Sequence, residues 1–214
     1  MNILIRRIVT LSRYSGKMGR PKKHDEHTAA ALLDAAERTI EADGIQSLSV
    51  RGLAADVDTT ARAVYSLFGS KDGLVTALGA RGFGMLAAAV KQVPVTDDPA
   101  ADLVAAGAAA FRGFVVAHPA LFRVAIQHPD PTRSFRSEAV AAFAQLEARV
   151  ARLGRTSLGG RSALQASVEF HALCEGLAAV ELRGQLPPGQ EEQTWRSALS
   201  ALVTGLGTRA QWRD

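Results

Sequence analysis

Cysteine is almost missing from this chain of 214 residues: Cys174 stands alone, so no internal disulfide and no zinc site built on several thiolates can form. A reducing cytoplasm is the compartment this predicts. Uninterrupted apolar runs are short as well, and none approaches the roughly 18 residues that cross a bilayer, so no membrane partner is expected. Arg6 and Arg7 break the opening MNILIRRIVTLSRYSGK where a signal peptide would need its apolar stretch, which argues against export. No segment alternates apolar and polar residues with period two, so no sheet is predicted. The patterns GxxxxGK, GxSxG and HExxH are absent too, and an enzyme built on a phosphate loop, a nucleophile elbow or a zinc-protease helix lacks its side chains. His24, Asp25, Glu26 and His27 offer metal-ligating atoms, but on an arm ahead of the first full helix; neither a metal nor a cofactor is expected.

What the chain does have is 47% hydrophobic residues, enough to bury a core, and a formal charge of +4 that is unevenly placed. Residues 1–24 carry seven Lys or Arg and no acid, residues 25–81 carry five against nine acids, and the rest carry thirteen against twelve. The positive excess is therefore an N-terminal arm. A translation start at Met18 would remove Arg6, Arg7, Arg13 and Lys17 and bring the net charge to zero. Overall basicity then says little, and the placement of Arg20, Lys22 and Lys23 just ahead of the first helix says more. A Gly-Arg-Pro arm of this kind can enter a minor groove, where narrow A·T-rich DNA attracts Arg; a solvated tail is the alternative.

The densest information lies in LSVRGLAADVDTTARAVYSLFGSKDGL, residues 48–74. Val50, Leu53, Ala54 and Val57 fall at i, i+3, i+4 and i+7, one stripe of a helix, with Ser49 where an N-cap belongs. Asp58 and Thr59 break that stripe. Thr60 then caps a second helix that buries Val64 and Phe68 and leaves Ala61, Arg62 and Tyr65 outward. Two short helices joined by a tight turn are a helix-turn-helix, whose second helix enters the major groove of double-stranded DNA. Arg51 and Arg62 are the expected base readers, because an Arg fork matches guanine O6 and N7. Ser49, Thr60, Tyr65 and Lys71 suit phosphates, with hydroxyl, phenol and ammonium groups near helix N-termini.

Tyr65, Phe68, Ser70, Lys71, Asp72 and Leu74 reproduce, in spacing and type, the end of the DNA-binding motif of the tetracycline-repressor (TetR) family, and the chain resembles that family from about Met18 to Leu78. Asp58 stands where the family often has Gly, Thr59 where it has an apolar residue, and Leu67 where an aromatic or His commonly helps hold a phosphate. Asp tolerates the left-handed backbone such a turn needs, and Thr keeps a methyl group to pack. The resemblance implies an all-α fold of nine or ten helices: an arm over 1–24, a three-helix DNA-binding domain over 25–78, and a helical ligand-binding and dimerisation domain over 79–214. It also implies a homodimer on a palindromic operator, a small-molecule effector and repression as the usual outcome. A DNA-binding helical protein with no effector is the runner-up reading, and a small helical enzyme a more distant one.

Along the rest of the chain, apolar periodicity and breakers place helices over about Glu26–Asp43, Ser70–Val93, Pro99–His118, Ala120–Gln127, Ser134–Leu153, Ser162–Arg183 and Glu191–Trp212. Phe135, Val140, Phe143, Leu146 and Val150 mark the predicted inner face of the fifth of these. FHALCEG at Phe170, with HPALFRV at His118, resembles the C-terminal domain of a subgroup named for a Trp-His-Gly motif, although only Gly176 of that trio is present. In the family the last two helices form a four-helix dimer interface; here Ala172, Ala178 and Ala179, then Ala198, Ala201 and Gly205, give them faces of small residues. An effector pocket is expected among Phe111, Phe114, Phe122, Phe143 and Phe170, with Phe135 nearby and with His118, His171, Cys174 and Glu175 as polar anchors; each aromatic can equally be plain core.

Overall fold

A computed structural model describes residues 23–127, 136–154 and 156–207, and among these every regular element is helical. Nine helices follow in order among the described residues: α1 Lys23–Asp43, α2 Val50–Asp56, α3 Ala61–Phe68, α4 Lys71–Gln92, α5 Pro99–Ala117, α6 over 119–127, α7 Arg136–Ala151, α8 Ala163–Leu182 and α9 Glu191–Leu206. The breakers act where the sequence places them. Asp98 caps α5 by accepting from the amides of Ala100 and Ala101, with Pro99 at the first helical position. Ser162 and Gln165 form a reciprocal capping box at the start of α8.

Two segments are π-helical, Ala106–Phe111 inside α5 and Arg123–Gln127 at the end of α6. Apolar periodicity did not foresee them, because Ala106–Phe111 is apolar throughout and Arg123–Gln127 keeps Val124, Ala125 and Ile126 at its centre, while only the backbone pitch changes. The predicted start of α7 at Ser134, and Phe135 with it, lies outside the described residues, as does the predicted end of the last helix at Trp212. Val140 was expected inside and is exposed, at 40%. The inner face of α7 is set by Leu146 and Val150, with Phe143 half-buried, and Val140 falls at the edge of that stripe, one turn before Phe143.

Helix α4 is the axis of the molecule: it packs against α1 and α3 near its start and against α5, α6 and α7 further on. Helix α1 packs against α2, α3, α4 and α6, so the N-terminal helices hold the bundle by the edge of α6 and by the shared α4. Helices α8 and α9 pair, and both contact α5. The interior is continuous from Leu32 and Leu53 through Leu74 and Leu78 to Phe122, Trp195 and Leu206, each at most 2% exposed. Helices α4 and α5 are long and apolar enough, by length and composition, to cross a membrane. The uninterrupted-run reading missed them because isolated charges such as Arg81 and Arg112 break each run; a third of the α4 window and half of the α5 window is buried inside the fold, as in any core helix.

A polar clamp ties the bundle together. Glu181 of α8 accepts from Arg112 of α5 at 2.7, 3.0 and 3.1 Å, and from the indole Nε1–H of the fully buried Trp195 of α9 at 2.7 Å. The paired carboxylate pushes the Arg112 pKa further up. At the other end, Asp102 accepts from the amide and hydroxyl of Thr96 and from Arg152, and Arg149 donates to the carbonyls of Val90 and Val93 where α4 ends. These are among the last carbonyls of α4, and that of Val90 already accepts from the Val93 amide at 3.2 Å; the guanidinium completes the helix C-terminus.

Candidate nucleic-acid interface

Each helix of the reading motif begins on a hydroxyl. Ser49 Oγ accepts from the Gly52 amide at 3.2 Å, Thr60 Oγ1 from Ala63 at 3.1 Å and Ser70 Oγ from Gly73 at 2.9 Å, fixing the starts of α2, α3 and α4. The same hydroxyl protons remain able to donate outward, as a phosphate oxygen requires. Asp58 adopts φ 51°, the left-handed turn conformation, which it tolerates in place of Gly. The turn closes with the Thr59 amide on the Ala54 carbonyl at 2.8 Å.

Helix α3 buries Val64 completely and packs Leu67 and Phe68 partly against the core, leaving Arg62 and Tyr65 exposed, Tyr65 at 52%. The outward face of α3 therefore presents a guanidinium and a half-exposed phenol to solvent. Arg51 on α2 and Lys71 at the first residue of α4 are exposed as well. Ala61, expected outward, is a correction: it is half-buried and packs against the core, on the helix that also contacts α1, α2 and α4. Arg20 and Lys22 lie outside the described residues, and Lys23 opens α1 with its side chain outside them.

The corner between α3 and α4 has no room to vary. Gly69 takes φ 75°, and a Cβ at Gly73 would sit 1.9 Å from the carbonyl oxygen of Phe68. The angle between the outward helix and the axial helix is thereby fixed by two glycines and a serine cap. Gly73 and Ser70 were legible only as parts of the GSKDGL spacing; their reason is this contact.

The residues expected to meet an effector separate into three groups. Phe111, Phe114, Phe122, Phe170 and Cys174 are core, each no more than 6% exposed, and burial pushes the Cys174 thiol pKa upward. A Cβ at Gly107 would meet Leu199 at 2.6 Å, Phe170 at 2.9 Å and Cys174 at 3.3 Å, so this part of the interior is full. Phe143 and His171 are half-buried and meet edge to face at 6.0 Å; His171 meets Phe111 the same way at 6.0 Å and hydrogen-bonds Glu175 at 2.8 Å. His118 parts from both groups: its ring lies 5.9 Å from Phe114 and its Nδ1 is 2.7 Å from Glu37 of α1. Glu37 was missed, although it shares the stripe Leu33, Ala36, Ile40, where a carboxylate signals a buried partner.

Residues 32–78 match the family described as bacterial regulatory proteins, tetR family, and residues 104–202 match the tetracyclin repressor-like C-terminal domain. The C-terminal match is to this general description, so kinship with the Trp-His-Gly subgroup stays an inference from the sequence. No curated protein matches the chain. Among solved structures it is similar to a protein of unknown function from Rhodococcus sp. RHA1, at 24% identity and a TM-score of 0.74, covering 85% of this chain and 96% of that one. It is also similar to the TetR family transcriptional regulator PfmR from Thermus thermophilus, at 18% identity and a TM-score of 0.62, covering 80% and 96%. A third likeness is to NalD, the secondary repressor of the MexAB-OprM multidrug efflux pump in Pseudomonas aeruginosa, at 20% identity and a TM-score of 0.64, covering 89% and 100%. At these identities the solved structures speak for the fold. With its reading motif and its C-terminal helices both matched, the chain belongs to the tetR family of bacterial regulatory proteins.

Proposed function

We propose that the chain is a homodimeric, cytoplasmic repressor that reads a palindromic operator with α3 and leaves it when a small, largely apolar molecule binds the helical bundle. The observation that carries the reading is the outward face of α3: Arg62 and Tyr65 are exposed on a helix whose start, packing and angle to α4 are all fixed. Arg62 and Arg51 serve as base readers, Ser49, Thr60, Tyr65 and Lys71 as phosphate contacts, and Arg20, Lys22 and Lys23 as an arm toward the minor groove. The division into an arm over 1–24, a reading domain over 25–78 and a body over 79–214 belongs to the same reading, and no catalytic activity is assigned.

Dimerisation is supported by the free side of α8, where Leu164, Val168, Ala172 and Gly176 recur every fourth residue and are all exposed, two of them large and apolar. Ala201 and Gly205 line the adjoining face of α9, whereas Ala178, expected there, is fully buried between helices. Effector binding is supported by the edge-to-face cluster of Phe111, Phe143 and His171 with Glu175 at its rim. NalD is the secondary repressor of a multidrug efflux pump, and a repressor of that kind fits an apolar effector. The runner-up, DNA binding without an effector, draws on the filled interior around Gly107.

Selection of bound duplexes from a random pool tests the first part, with two inverted half-sites as the expected product. Melting against a panel of apolar compounds, followed by release of the selected duplex, tests the second. A pool that yields no consensus overturns the DNA reading, and a consensus that no compound releases favours the runner-up.

A further inference from the structure

Helix α1 meets the bundle along a seam formed by α4 and the start of α6. Helix α1 packs against the start of α6, and there Glu37, 9% exposed, faces the His118 ring at 2.7 Å, Nδ1 to Oε1. With the ring N–H placed on Nδ1, His118 donates to the Glu37 carboxylate oxygen. His118 is the hinge residue of the bundle at this point. It ends α5 by donating its amide to the Phe114 carbonyl at 2.9 Å, and it begins α6 by accepting from the Phe122 amide at 3.0 Å. Its ring rests on Phe114, while Phe122 rests edge to face on Phe111 at 6.1 Å. On the other side of the seam, Gly82 of α4 lets α6 approach so closely that a Cβ would stand 3.3 Å from Leu121 and 3.4 Å from Ala125.

Arg81 of α4 also pairs with Asp34 of α1 at 2.6 Å, but that carboxylate is 49% exposed against 12% for the Glu37 side chain; the sheltered Glu37–His118 contact carries direction where a hydrated ion pair and apolar packing carry little, because a hydrogen bond fails with angle and distance whereas an apolar surface can slide. We propose that the Glu37–His118 hydrogen bond is a positioning contact that fixes the angle of the reading helices against the bundle, and through the dimer sets which half-site spacing the protein accepts. Glu37 and His118 are specificity-determining residues that touch no DNA. The inference rests on the dimeric, operator-binding reading above.

The test compares affinities for the selected palindrome and for duplexes with one base pair added to or removed from its centre. Each change moves a half-site by about 3.4 Å and turns it by about 35°. A duplex carrying a single half-site serves as the control. His118→Phe keeps the ring on Phe114 but loses the donor; His118→Asn places an amide N–H near the former Nδ1. The expected result is that His118→Phe loses roughly tenfold of the preference for the native spacing, the scale of one hydrogen bond to a charged group. Affinity for the single half-site should stay unchanged, and His118→Asn should recover most of the preference. An unchanged spacing preference in His118→Phe overturns the proposal, as does an equal loss on every duplex including the single half-site, which is what general destabilisation would give. A wild-type protein that binds its half-sites with no spacing preference at all overturns the dimeric reading first and the positioning role with it.

Discussion

Replacing Glu181 by Leu would test whether the clamp at the bundle's centre holds the proposed dimer helices in place. The substitution removes three contacts from Arg112 and one from Trp195 at once. Trp195 is fully buried, so its Nε1–H is left without a partner, at a cost of about 1–3 kcal/mol. The Arg112 side chain keeps 24% of its surface in water and can turn outward, so its share falls well below the several kcal/mol of a fully buried broken pair, to about 1–2 kcal/mol. The leucine regains part of this by apolar burial, and the net loss is about 3 kcal/mol, or roughly 6–12 °C in melting temperature for a chain of this size. Melting followed by far-ultraviolet circular dichroism at one fixed protein concentration measures it, since dimerisation would make the midpoint concentration-dependent. Arg112→Leu in the same background should restore part of the loss by removing the stranded charge, a coupling that a double-mutant cycle reads directly. A loss below about 1 kcal/mol, or single losses that simply add, would show the clamp to be a bystander.

Arg62→Ala should cost about 1–3 kcal/mol on the selected operator and relax one base position per half-site, while Lys71→Ala should weaken all duplexes alike and lower the salt slope by about 1; binding curves on selected and scrambled duplexes at two salt concentrations separate the two, and equal behaviour refutes the division of roles. Asp58→Gly relieves a left-handed backbone at φ 51° and should stabilise the fold by about 0.5 kcal/mol in urea, the relief being offset by the greater freedom of an unfolded glycine. Asp102 is held at a pKa of about 2, below the ordinary 3.8, by the Thr96 amide first and by Arg152 and the Thr96 hydroxyl next. Its stabilisation is therefore complete above about pH 4 and drains away as pH falls toward 2, because the unfolded chain takes up the proton first. Asp102→Asn should flatten that part of the urea-midpoint profile, and an unaltered slope would contradict the assignment.

The reading motif was legible because its rules are local: caps at Ser49 and Thr60, a stripe with the helical period, and a turn residue able to take positive φ are all written within a few positions. The exposure of Arg62 and Tyr65 follows from that period alone. Ala61 was misjudged because its burial depends on how the neighbouring helices pack around α3, a tertiary quantity. His118 illustrates the same limit on a larger scale: beside Phe114 and Phe122 in the sequence it reads as a pocket anchor, yet its partner Glu37 lies 81 positions away. The Arg112–Glu181–Trp195 clamp was hidden for that reason too, since it joins α5, α8 and α9. The π-helical turns escaped because a change of pitch within an apolar helix alters no residue type.

The most direct test of the central claim is the stoichiometry of the complex on the selected operator, measured by sedimentation at physiological salt. The account predicts an even number of chains, two per palindrome, bound with half-site centres about 34–36 Å apart or at a multiple of that spacing, and binding abolished on a scrambled duplex. A single chain per duplex, or equal affinity for operator and scrambled sequence, would contradict it.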